Sequence, residues 1–125
     1  FGVISRIPRR LGFARFQGVR PVREGILTVR VVPDPSAAGV HVAFATPKRI
    51  GSAVVRNRVR RQVRALMHTQ ADALPRGWYL IGIEAPPVDK SWGQLSGLLA
   101  TALPRAVQRA KHHSPTNPPP NEVLL

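Results

Sequence analysis

The chain has 125 residues and a mass of 13.7 kDa, with 19 Lys and Arg against 6 Asp and Glu, and no cysteine. That length suits a single domain around one modest core, the absence of thiols excludes a disulfide framework or a thiolate zinc site, and apolar runs of only a few residues exclude a membrane span. The net charge of +13 and a pI near 12.0 steer the chain toward polyanions, of which nucleic acid is the commonest.

In chain order, residues 1–20 carry five arginines and no long apolar stretch, which argues against a signal peptide. Leu11, Phe13 and Phe16 can line one face of a short helix, against the grain of Pro8 and Gly12. Residues 25–32 are rich in β-branched side chains and stop at Pro33, Asp34 and Pro35, a strand followed by a turn. In residues 40–45, Val40, Val42 and Phe44 alternate with His41, Ala43 and Ala45, a second strand with one heavier face. The two strands are expected to pair as an antiparallel hairpin across residues 33–39. Residues 52–73 follow a helical period, and residues 78–83 form a third strand stopped by Pro86 and Pro87. Residues 91–110 place Leu95, Leu98, Leu99, Ala102, Leu103 and Val107 on one helical stripe, which Pro104 is expected to kink or split. Beyond that, Pro115, Pro118, Pro119 and Pro120 interrupt a segment without periodicity. The expected organisation is one domain over residues 1–111 and a disordered tail over 112–125. Its class is α+β, a small central sheet packed with helices in a two-layer sandwich.

Charge is concentrated rather than spread. Residues 1–64 hold fourteen of the 19 cations and only two acids, Glu24 and Asp34, whereas residues 65–125 are nearly neutral. On a helical wheel, Val55, Val59, Val63, Leu66 and Met67 share a core-facing stripe. Asn57, Arg60, Arg61 and Arg64 lie opposite, with Arg56 and Arg58 on the flanks. Seven cations between residues 48 and 64, with no acid among them, find no i, i+4 ion pairs and repel one another unless a polyanion neutralises them. Arginine outnumbers lysine six to one there, and its planar fork suits phosphates and bases. A solvated helix face is the bland alternative. DNA reading lacks zipper heptads or a second recognition helix, so RNA is the favoured partner.

The stretch TPKRIGSAVVRNRVRR at residues 46–61 resembles the signature of the bacterial ribonuclease P protein subunit. That pattern is two basic residues, an apolar residue, glycine, a small residue, Ala-Val, then Arg-Asn-Arg and another basic pair. The order of strands and helices around it agrees, and the resemblance spans about residues 10–109. It implies an α+β sandwich with a left-handed β-α-β crossover, against the usual handedness. It implies a protein component of a cytoplasmic ribonucleoprotein endonuclease, with one protein per catalytic RNA and no membrane partner. The RNA and its Mg²⁺ would hydrolyse precursor tRNA to release the 5′ leader. Carried over residue by residue, Arg56, Asn57, Arg58, Arg60 and Arg61, with Arg64 beyond them, would face the RNA subunit. Lys48 and Arg49 would flank the cleft for the single-stranded leader, with Phe13, Phe16 and Phe44 as its aromatics. The chain departs from the pattern at Val29, where an aromatic is frequent, at Trp78, where an acid is, and at Glu84, where a base is.

Two other readings stand beside this one. A structural RNA-binding protein of ribosomal type would share the composition but not the signature. A stand-alone ribonuclease would need His41 and His68 as acid and base beside Lys48. The six carboxylates have no paired spacing for two-metal hydrolysis. His112 and His113 lack further ligands for a metal. Gly51 is a lone glycine rather than a phosphate loop; it loosens the turn before Ser52, a candidate helix cap, and that helix start beside Lys48 and Arg49 is suited to a phosphate. Trp78, Tyr79 and Trp92 are expected in the core.

Overall fold

The computed structural model describes residues 4–6 and 13–113. Five strands make one mixed sheet: β1 (Ile4–Arg6), β2 (Val22–Glu24), β3 (Leu27–Pro33), β4 (Val40–Ala45) and β5 (Gly77–Ile83), in spatial order β1-β4-β5-β3-β2. Helix α1 (Ala53–Gln70) connects β4 to β5, and α2 (Asp89–His113) follows β5. Single 3₁₀ turns cover Phe13–Phe16, Lys48–Ile50 and Ala71–Ala73. The class is α+β, as the periodicities require.

The hairpin expected between residues 25–32 and 40–45 does not form. β5 runs between those strands, antiparallel to β3 and parallel to β4, so that Tyr79 stands opposite both Val31 and Val42. The reason lies in the β5 sequence, WYLIGI from residue 78. It is an unbroken apolar run, and Tyr79 through Ile83 are buried on both faces of the sheet, as a central strand must be. The parallel β4–β5 pair joined by α1 is the β-α-β unit that the family resemblance implies. The hairpin that does form is β2–β3, turned at Gly25 with φ of 56°, a conformation suited to the first position of a two-residue hairpin turn. β1 pairs parallel with β4 at the opposite edge. Neither three-residue strand is long enough to leave an alternating pattern.

One face of the sheet carries both helices. Leu27, Val29, Val31, Val42, Ile81 and Ile83 meet Val59, Val63 and Met67 of α1 and Leu95, Leu99 and Leu103 of α2 in one buried cluster. Val29, where the family favours a cleft aromatic, therefore points into the core. Burial raises the Tyr79 phenol far above its ordinary range, and its neutral hydroxyl donates to the Pro75 carbonyl at 2.6 Å. Helix α2 runs through Pro104 without splitting. Pro104 and Ala100 are both exposed, so the carbonyl that loses its helical donor lies on the solvent side. Arg105 pairs with Glu24, and Arg109 Nη1 donates to the Pro21 carbonyl at 3.1 Å, so α2 clasps the β2 edge. Helix α2 ends at His113, two residues into the segment expected to form the tail. Leu11, Pro8, Gly12 and the remainder of the proposed tail lie outside the described residues.

Candidate nucleic-acid interface

Helix α1 begins where the sequence pattern places it. Ser52 caps it, its Oγ accepting from the Val55 amide at 3.3 Å and its carbonyl from the Arg56 amide at 2.9 Å. Gly51 has φ of 149°, and a Cβ there would lie 2.9 Å from Val55 Cγ1, so the sharp entry into the helix excludes a side chain. Buried Ile50 pins the preceding 3₁₀ turn, while Lys48 and Arg49 stand exposed at its surface. Arg49 Nη1 donates to the Glu84 carbonyl at 2.7 Å, tying this basic turn to the end of β5.

The cations of α1, which contains no acid, leave the helix in three directions. Arg58 turns toward α2, its Cζ 4.0 Å from the centroid of the Trp92 ring. Arg60 and Arg64 turn toward β4: Arg60 Nη1 donates to Thr46 Oγ1 at 2.5 Å, its Nη2 to Asn57 Oδ1, and Arg64 lies 5.4 Å above the Phe44 ring. Arg61 and Asn57 are exposed along the crest. Arg56 is half-buried, its Nε without a hydrogen-bond partner. Neutral rings, a hydroxyl and an amide orient Arg58, Arg60 and Arg64, and α1 itself supplies no acid. A concentrated positive face results, one that a phosphate chain would stabilise.

Among the described residues, the other face of the sheet carries no α-helix. Its floor is Thr28 and Arg30 from β3, His41, Ala43 and Ala45 from β4, and Trp78, Leu80 and Gly82 from β5. The 3₁₀ turn Phe13–Phe16 lies on this floor, with Phe16 only 4% exposed against Ala43 and Leu80. Arg30 Nε donates to the Val19 carbonyl at 3.1 Å and holds the following loop in place. Arg23 and Glu84 approach to 3.8 Å at the rim, both solvated, and contribute little. Lys48 and Arg49 flank the end of this face nearest Glu84.

The structure thus gathers Asn57, Arg60, Arg61 and Arg64 on one side of α1 and Lys48 with Arg49 at one end of the sheet. It does not gather the three phenylalanines. Phe16 is buried on the open face, Phe44 is on the helix face beneath Arg64, and the Phe13 side chain lies outside the described residues. Trp78 is half-buried on the open face rather than in the main core, whereas Tyr79 is fully buried and Trp92 packs at the core edge. Arg15 and Arg30, unremarked in the sequence, join the open face; strand parity marks Arg30 once Val29 is assigned to the core. His41 lies on the open face and His68 on the exposed side of α1, so the sheet separates the pair a stand-alone ribonuclease would need. Among the described residues, no three His, Asp or Glu side chains gather as metal ligands. No described helix is long and apolar enough to cross a membrane.

Comparison with known proteins agrees with this arrangement. The ribonuclease P family model matches residues 6–107. The ribonuclease P protein component of Roseiflexus sp. is 34% identical over 84 residues, covering 66% of this chain and 68% of that one. That of Thermobifida fusca is 33% identical over 120 residues, covering 88% and 80%. Among solved structures, the RNase P protein from Staphylococcus aureus superposes with a TM-score of 0.72 at 20% identity, covering 81% of this chain and 94% of that one. The protein from Thermotoga maritima gives 0.62 at 18% identity, covering 81% and 96%. A signature on a capped basic helix, a matching fold and a family match over most of the chain decide against the ribosomal alternative: the chain belongs to the ribonuclease P protein component family.

Proposed function

We propose that the chain serves as the RNA-binding subunit of ribonuclease P, one copy per catalytic RNA, assisting endonucleolytic removal of the 5′ leader from precursor tRNA. The observation that carries this reading is the arginine face of α1, a helix without acids, oriented by Trp92, Thr46 and Phe44. Guanidinium forks there bind phosphates of the RNA subunit and release its counterions. Lys48 and Arg49, exposed at one end of the open sheet face, draw the single-stranded leader toward it. The chemistry is hydrolysis at Mg²⁺ ions held mainly by the RNA, and this chain's residues contribute binding and orientation.

The test is cleavage of a precursor tRNA at low Mg²⁺ by the protein alone, by a bacterial ribonuclease P RNA alone, and by both together. Efficient release of the mature 5′ end only by the combination is the expected result. A protein that adds nothing to the RNA would overturn the reading.

A further inference from the structure

At the end of the open face away from Lys48 and Arg49, three side chains form a stack. His41 and Trp78 are register partners on β4 and β5; their rings stack with centroids 4.5 Å apart and planes 21° from parallel. Arg15, from the 3₁₀ turn above the sheet, places its Cζ 4.0 Å from the centroid of the Trp78 ring. Two groups this close to one ring cannot share a face, so Arg15 and His41 flank the indole. The indole is fixed at its edge as well, since Nε1 donates to Asp34 Oδ2 at 3.1 Å. Asp34 is in turn held by the amide and hydroxyl of Ser36, at 3.0 and 2.6 Å.

Packing accounts for Trp78 and His41, and the charge of Asp34 helps to draw Arg15 to the same end of the face. Arg15 is exposed. Its guanidinium is planar, permanently charged and weakly hydrated, and so suited to meet a base from the solvent side. Unpaired RNA bases stack on arginine planes as they do on aromatic rings. The ring beneath has already restrained this side chain, so little further ordering is lost on binding.

We infer that the outward face of Arg15 takes an unpaired nucleobase of single-stranded RNA, extending the His41–Trp78–Arg15 stack by one ring. The inference rests on the open sheet face being the single-strand path proposed above, and adds a base-binding position at its far end. His41 and Ala45 are separated by about 13 Å along β4 at the usual strand rise. Stacking of this kind tolerates any base and favours the larger purine surface.

The experiment titrates the full chain against a short single-stranded oligoadenylate carrying one 2-aminopurine, following anisotropy for binding and 2-aminopurine emission for stacking. Arg15→Lys keeps the charge and removes the plane. The wild type should quench the probe. Arg15→Lys should bind roughly five- to tenfold more weakly and lose the quenching, with the salt dependence retained. An oligonucleotide lacking the base at the quenched position should not distinguish the two proteins. If Arg15→Lys binds and quenches like the wild type or better, the base does not sit on Arg15 and the inference falls while the single-strand path stands. If the wild type does not bind the oligonucleotide, the path and the inference fall together.

Discussion

Arg58 of α1 lies over the Trp92 ring of α2 with its Cζ 4.0 Å from the centroid, so a cation that the family pattern assigns to RNA also fastens the two helices together. Arg61, one helical turn after Asn57 on the crest, is exposed. The two residues should separate under mutation. Arg58→Ala should lower RNA affinity and cost about 0.5–1 kcal/mol of stability, the usual range for an exposed cation–π contact. Arg61→Ala should lower RNA affinity alone. Urea unfolding beside binding titrations checks this, and equal stability of the two variants would show that the ring contact contributes nothing.

Salt dependence tests the arginine face as a whole. Neutralising on the order of six phosphates gives a log–log slope of roughly −5 for binding to the RNA subunit. Replacing Arg56, Arg58 and Arg60 together with alanine should flatten that slope by about 2 to 3. A slope unchanged by the triple replacement would remove α1 from the RNA contact.

Phe16 behaves as a core residue in this fold, 4% exposed beneath the 3₁₀ turn and packed on Ala43 and Leu80. Phe16→Ala should therefore cost about 3–4 kcal/mol of stability. Where the variant remains folded, precursor and mature tRNA should lose affinity equally. A selective loss for the precursor would mean that the ring leaves its pocket to meet the leader.

The features legible in the sequence are those written in short-range periodicity. The apolar stripe of α1, its Ser52 cap and the stripe of α2 recur in the structure because each depends on neighbours within a turn or two. The failed hairpin came from joining strands that are adjacent in sequence, although the unbroken WYLIGI run already marked β5 as buried on both faces. The side taken by Phe44 was also present in the pattern, since it shares parity with Val40 and Val42, both core residues. Arg58 with Trp92 and Arg15 with Trp78 were not legible. Each joins side chains from distant elements, and only the completed sheet and helix packing brings them within reach.

Asp34 gives the stack a pH dependence whose sign follows from its hydrogen bonds. The Ser36 hydroxyl first, and then the Trp78 indole, hold its carboxyl below the ordinary value near 3.8. The unfolded chain takes up this proton near 3.8, while the folded chain does so only at lower pH. Between those values the unfolded state binds more protons, so stability rises with pH across that window. The contribution is fully present above about pH 4 and disappears as the pH falls through the folded value. Asp34→Asn leaves an acceptor but no charge, and should be less stable than the wild type at neutral pH. The gap should close as the pH falls below about 4, where the wild-type carboxyl takes up its proton. Unfolding followed by circular dichroism at a series of pH values measures it. A gap that stays constant to the lowest pH would mean that the shape of the carboxylate, not its charge, holds Trp78 in place.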